Sequence, residues 1–191
     1  MVGNLARRWT RNILRPIALF CGKLGLTPNA LTIGGFLLVA GVSLVLAKGY
    51  FRLGGILLLL TVWLDAVDGA LARETDQVTR FGAFLDSTLD RYAETLLYLG
   101  LLVYYTPRHV DYMVYLIYLT ITGSLLVSYT RARAEAAGIP VTEGLLTRFE
   151  RLVILILGLI FLHLEAALWI LAPLTHVTAV QRMLIVWKRA E

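Results

Sequence analysis

The sequence predicts an all-α integral membrane protein, with six transmembrane helices behind an N-terminal amphipathic helix that lies on the membrane surface. Three observations carry this prediction. Of 191 residues, 58% are apolar and only 16% charged, against roughly 45–50% and 25% in soluble domains; mean hydropathy is +0.73. The apolar residues gather in stretches close to the roughly 20 residues needed to cross a bilayer. The 18 Lys and Arg, which leave a net charge of +5, cluster at alternate ends of those stretches. A soluble domain of this length would need a more polar surface. Disorder, collagen-like repeats and a disulfide scaffold are excluded by the same composition. Cys21 is alone and cannot form an internal bridge, and His109, His163 and His176 are too scattered to suggest a metal site. Basic residues flanking apolar runs point to cytoplasmic loops and anionic lipid, not to nucleic acid.

In chain order, residues 3–24 come first. Leu5, Trp9, Ile13, Pro16, Ile17, Phe20 and Leu24 share one arc of a helix, while Arg7, Arg8, Arg11 and Arg15 share the opposite one. That pattern predicts an interfacial helix with its arginines toward lipid phosphates, bent at Pro16. The spans are expected at 30–47, 53–72, 84–105, 110–130, 149–164 and 166–187. Only His163-Leu164-Glu165 divides the last two, so one long bent helix, giving five spans, is the alternative. No cleavable signal peptide, repeat or long linker is expected, so residues 1–191 read as one domain with its core at 30–187. With the N-terminus inside, inner segments hold fourteen Lys and Arg, outer loops hold only Lys48, Arg52 and Arg108, and Arg91 lies within a span. That asymmetry places both termini in the cytoplasm.

Carboxylates in the second and third spans need an explanation. An Asp at mid-membrane costs roughly 2.5–3.5 kcal/mol on an insertion scale, yet this pair of spans carries Asp65, Asp68, Asp86, Asp90 and Glu94. Asp65 and Asp68 are three apart, Asp86 and Asp90 four apart, so each pair shares a helical face. The polar residues Glu74, Thr75, Asp76 and Gln77 suit a short inner loop, and the resulting hairpin lets the two pairs face each other. Four convergent carboxylates suit Mg²⁺ or Mn²⁺, and two such ions would clamp a pyrophosphate during in-line displacement. Gly69 and Gly82 remove side chains beside the acids, Ala72 is small, and Arg73 is within reach of a phosphate. Helix packing and an interfacial snorkelling arginine are the plainer readings of the same residues.

The pattern Asp65-x2-Asp68-Gly69-x2-Ala72-Arg73-x8-Gly82-x3-Asp86-x3-Asp90 resembles the signature of the CDP-alcohol phosphotransferase family at every defined position. The resemblance implies six transmembrane helices, a homodimer, and transfer of a phosphatidyl-type group from CDP-diacylglycerol or a similar lipid to an alcohol, with release of CMP. It implies that Asp65, Asp68, Asp86 and Asp90 hold two metal ions, Mg²⁺ with Mn²⁺ as the alternative, and that Asp90 is also the general base. It implies that Gly69, Ala72, Arg73, Thr79 and Gly82 line the CDP-lipid site beside Asp68. Pro28-Asn29-x-Leu31-Thr32 is similar to the family's entry into its first span, which brings Asn29 and Thr32 toward the cytidine. A base beside two cations would be weak, so its use would come from position at the attacking hydroxyl. No serine or cysteine stands out as a nucleophile, which favours direct displacement.

The acceptor is approached through arginines. Ser128-Tyr129-Thr130-Arg131-Ala132-Arg133-Ala134-Glu135 ends the fourth span, and Arg148, Glu150 and Arg151 open the fifth. Arg131, Arg133 and Arg151 are expected to meet near the inner mouth of the site, which suits an acceptor carrying phosphate. An inner basic cluster paired with Glu135 and Glu150 is the alternative. The run Ser128 to Glu135, Glu150-Arg151-Leu152 and Asp86-Ser-Thr-Leu-Asp90-Arg91 resemble the branch of the family that uses inositol phosphate. That resemblance implies that Ser128, Arg131, Arg133 and Arg151 contact the acceptor phosphate, with a further C-terminal contact from Arg182, Lys188 or Arg189. The alternatives are a glycerol phosphate acceptor, a diether lipid and, from another class, a membrane cation transporter. An intramembrane prenyltransferase has no use for the Gly69, Ala72-Arg73 and Gly82 pattern. The expected location is the plasma membrane, with the active site cytoplasmic.

Overall fold

The computed structural model describes Pro16, Leu19, Phe20, Gly22, Lys23 and residues 25–191 apart from Asp76 and the side chain of Ala66. Most of the expected interfacial helix at 3–24, Cys21 included, lies outside the described residues. Helix α1 (Pro28–Ala47) opens where the Thr27 hydroxyl accepts the Ala30 amide at 3.2 Å. Pro28 takes the first helical position, where a missing N–H goes unnoticed. Helices α2 (Phe51–Glu74) and α3 (Arg80–Tyr105) follow, joined by residues 75–79. The Thr79 hydroxyl accepts the Gly82 amide at 2.9 Å and caps α3. After a 3₁₀ turn at Thr106–Arg108 come α4 (Asp111–Ala136), α5 (Arg148–Ile160) and α6 (Leu164–Ala190). No strand occurs among the described residues.

Six helices thus occupy the six apolar stretches, and α5 and α6 are separate, with Leu162 between them at φ 60°. Four of them, α1, α2, α4 and α6, are long and apolar enough to cross a membrane. The other two fall short for different reasons. Helix α3 has the length, but Arg80, Asp86, Asp90, Arg91 and Glu94 interrupt its apolar surface. Helix α5 has 13 residues, which at 1.5 Å per residue rise only about 20 Å against a hydrocarbon core of about 30 Å.

The chain forms two compact units, one of residues 1–42 and 57–96, the other of residues 43–56 and 97–191. In the first, Val67, Ala70 and Leu71 of α2 are buried against Leu31 of α1. In the second, α6 packs on both α4 and α5. The buried residues Met113, Leu116, Ile117, Thr120, Ser124 and Val127 on α4 recur every three or four positions, as do Leu164, Leu168, Leu171, Thr175 and Thr178 on α6. Those are the periods of a helix presenting one face to a neighbour. Leu37, Leu38, Leu44, Trp63, Trp169 and Ile170 are by contrast exposed. Apolar exposure on this scale belongs to a surface in contact with lipid, and the protein is a multi-pass membrane protein.

Candidate active site

The first unit holds a pocket of about 310 Å³. Three helix ends build it: the start of α1 gives Pro28, Asn29 and Thr32; the end of α2 gives Asp68, Gly69, Ala72 and Arg73; the start of α3 gives Thr79, Gly82, Ala83 and Asp86. Every residue predicted for CDP-lipid binding lines it. Gln77 and Val78, on the connecting loop, line it as well and were not anticipated, because a short polar loop carries no motif of its own. Gly82 sits at a close approach: a Cβ there would meet the Thr79 hydroxyl at 3.0 Å and the Asn29 amide oxygen at 3.1 Å, so either side chain would have to shift by a few tenths of an ångström. At Gly69 a Cβ would meet the Arg73 guanidinium at 3.3 Å, so the missing side chain lets the arginine fold back over the helix end.

Among the acids, Asp68 and Asp86 line the pocket, whereas Asp65 and Asp90 do not. Asp68 is only 7% exposed. Its Oδ2 accepts the Thr32 hydroxyl at 2.8 Å, its backbone donor is Gly69, and its like-charged neighbours are Asp86 and Asp65. Asp65 approaches Gly35 of α1. Asp90 stands 3.8 Å from Arg91, whose guanidinium also donates to the Ser87 carbonyl. As the side chains stand, no three of Asp, Glu, His or Cys gather closely enough to hold a metal ion among the described residues. The donor chemistry nevertheless suits one. A buried carboxylate beside two others, with one hydroxyl and one amide as donors, is costly unless a cation neutralises it, and hard oxygen donors select Mg²⁺ or Mn²⁺.

The predicted acceptor residues all belong to the second unit. Ser128 is half-buried, and Arg131 and Arg133 are exposed on the last turns of α4. Arg131 pairs with Glu135 at 3.0 Å. Arg151 is 1% exposed and donates to the Leu146 carbonyl at 3.5 Å. Glu150 is engaged in the capping box with Thr147 at the start of α5. Of the three C-terminal candidates, Arg182 is the buried one. It is 3% exposed, donates to the carbonyls of Glu143 at 2.9 Å and Val127 at 2.6 Å, and has Arg131 and Arg151 as like-charged neighbours. Those bonds use two of its five N–H donors. Arg189 turns instead to the Glu143 carboxylate and the Pro140 carbonyl, and Lys188 is exposed. Arg151 and Arg182 are thus both buried, with Arg131 as a further cationic neighbour of Arg182.

Fold and pocket together define an all-helical membrane protein, built around an acid-bearing helix pair that carries the Asp-x2-Asp-Gly-x2-Ala-Arg signature. The chain belongs to the CDP-alcohol phosphatidyltransferase family, whose model matches residues 25–181. It is 39% identical over 170 residues to the archaetidylinositol phosphate synthase of Pyrococcus horikoshii, covering 88% of each chain. It is also similar to the crystal structure of Mycobacterium tuberculosis phosphatidylinositol phosphate synthase with CDP-DAG bound. There the TM-score is 0.87 and the identity 34%, over 92% of this chain and 94% of that one. The same Mycobacterium tuberculosis enzyme in complex with manganese and citrate matches with a TM-score of 0.85 and 34% identity, over 91% of this chain and 88% of that one.

Proposed function

We propose that the protein transfers the phosphatidyl-type group of a CDP-linked lipid to inositol phosphate, releasing CMP. The observation that carries this reading is the single pocket in which Asn29, Thr32, Asp68, Gly69, Ala72, Arg73, Thr79, Gly82 and Asp86 come together. Asn29 and Thr79, brought close by Gly82, take the cytidine end together with Thr32. Arg73 takes the pyrophosphate. Asp65, Asp68, Asp86 and Asp90 would hold two divalent cations, Mg²⁺ or Mn²⁺. When bound, such ions neutralise the pyrophosphate and stabilise the charge that builds during displacement. The acceptor hydroxyl oxygen bonds to the lipid-bearing phosphorus, its proton passes to Asp90, and the bond from that phosphorus to the CMP oxygen breaks. Ser128, Arg131, Arg133 and Arg151 hold the acceptor phosphate, and Arg182 is their C-terminal partner.

In this reading α3 and α5 complete six crossings and residues 3–24 lie along the inner surface of the plasma membrane. Both termini and the active site face the cytoplasm, as the distribution of Lys and Arg supports. The family match runs across segments of both units, which supports one domain over 1–191, and a homodimer is the expected assembly. A second reading of the lipid, a diether in place of diacylglycerol, is favoured by the identity to the Pyrococcus horikoshii synthase.

The test uses purified protein in detergent with CDP-diacylglycerol or its diether analogue, and inositol phosphate, glycerol phosphate, free inositol or serine. Fastest CMP release with inositol phosphate is the expected result. A preference for glycerol phosphate or free inositol would overturn the acceptor while leaving the reaction class. Absence of CMP release with every acceptor, together with metal uptake by vesicles carrying the protein, would replace the transferase by a cation transporter.

A further inference from the structure

Between α4 and α5 the chain runs from 137 to 147 with no regular secondary structure. A connecting segment of this length would ordinarily be mobile. This one is sewn to a single face of α6. The Leu146 amide donates to the Thr178 hydroxyl at 3.1 Å, and the Leu145 amide to the Gln181 side-chain oxygen at 3.2 Å. Arg182 donates to the Glu143 carbonyl, and Arg189 reaches back to the Pro140 carbonyl at 3.0 Å and to the Glu143 carboxylate. Val141 and Leu146 are buried beneath. At the centre is Gly144, with φ 155°, where a Cβ would meet Thr178 at 2.8 Å and the Arg182 Nε at 3.3 Å. The residue that carries the carbonyl orienting Arg182 therefore also carries the carboxylate gripped by Arg189.

We propose that Glu143, Gly144 and Arg189 form a latch that fixes the Arg182 guanidinium for the acceptor. They are positioning residues, and the inference rests on the reading that Arg182 and Arg151 hold the acceptor phosphate. The ion pair fixes the loop, the loop presents the Glu143 carbonyl to Arg182 Nε, and the bare backbone at Gly144 leaves room for the guanidinium to lie flat. None of the three needs to touch substrate. Their effect appears in acceptor binding, and the nucleotide pocket on the other unit is indifferent to them.

The experiment is steady-state kinetics of the full-length protein in detergent, with inositol phosphate and CDP-diacylglycerol varied in turn. The Glu143 and Arg189 side chains are both about half exposed, at 46% and 44%, so the pair is a modest one. Glu143→Gln and Arg189→Gln should each raise the inositol phosphate KM about two- to fivefold, with kcat and the CDP-diacylglycerol KM unchanged. The double variant should do no more than either single one, and the reversed pair, Glu143→Arg with Arg189→Glu, should recover part of the loss. Gly144→Ala should raise the same KM about tenfold or more. If Gly144→Ala fails to fold, the surface pair decides, because glutamine keeps both side chains' approximate volume. An unchanged inositol phosphate KM in both glutamine variants overturns the latch, as does an equal rise for both substrates. Arg182→Lys and Arg151→Lys separate the two levels. If they raise the acceptor KM and the latch variants do not, only the latch falls; if they leave it unchanged, the acceptor reading falls with it.

Discussion

Thr32→Val isolates one hydrogen bond in the candidate active site without removing a carboxylate. The Thr32 hydroxyl has two acceptors in reach, the Pro28 carbonyl at 3.1 Å and Asp68 Oδ2 at 2.8 Å, and its one proton goes to the shorter, charged partner. Asp68 is buried with Asp65 and Asp86 as like-charged neighbours, so this donor both orients the carboxylate and offsets their repulsion. A hydrogen bond to a charged group contributes about 1.5–3 kcal/mol, which corresponds to about tenfold to a hundredfold. Outer-shell partners of metal ligands commonly change metal affinity by a similar factor, about 10–100-fold. Valine keeps the shape of threonine and loses only the hydroxyl. In CMP-release assays across a titration of Mn²⁺ or Mg²⁺, the variant should need about tenfold or more metal for half-maximal rate, and Thr32→Ser should restore most of it. Wild-type metal dependence in a folded Thr32→Val protein would show that this bond does not hold a metal ligand in place.

Because the proposed base role of Asp90 acts on the acceptor, Asp90→Asn should keep much of the CDP-lipid binding, followed by equilibrium binding of a radiolabelled CDP-lipid, while losing at least about a hundredfold in CMP release. Topology is read from cysteine labelling: with Cys21 replaced by serine, a thiol at exposed Arg108 should react with an impermeant maleimide in intact cells, and one at Arg148 only after permeabilisation. The reverse pattern would turn the protein over. Glu143 gives a pH dependence with a definite sign. A backbone hydrogen bond first and Arg189 second hold its carboxyl below the usual glutamate range. The latch contribution is therefore complete above the ordinary glutamate pKa and is lost as pH falls through the lowered folded value. The ratio of acceptor KM between Glu143→Gln and wild type should stay constant through neutral pH and close toward one only in acid.

The sequence alone determined the reaction class and the positions of the helices. The helix positions rest on local spacing, since apolar stretches long enough for a bilayer fall where the six helices form. The reaction class rests on the resemblance of the aspartate pattern to a family signature; the intervals of three and four residues by themselves only set the aspartates on common helical faces. Gly82 and Gly69 were legible for the same reason, since a missing side chain beside a charged one is visible in one dimension. The expectation of six spans was met by four helices long and apolar enough to cross a membrane; the charges of 80–94 and the shortness of 148–160 set the other two apart. Tertiary structure decided what depends on residues far apart in the chain. Thr32 finds Asp68 from 36 positions away, a pairing that no periodicity announces. Arg182, one of three C-terminal basic residues within eight positions, is the one buried, because the packing of α6 on α4 carries it to the Val127 carbonyl, 55 residues earlier. Arg189, about two turns further along the same face of α6, pairs instead with the Glu143 carboxylate. A side chain's charge is fixed by its identity, but its direction is set by which helix face the core buries, and that is settled only when the helices meet.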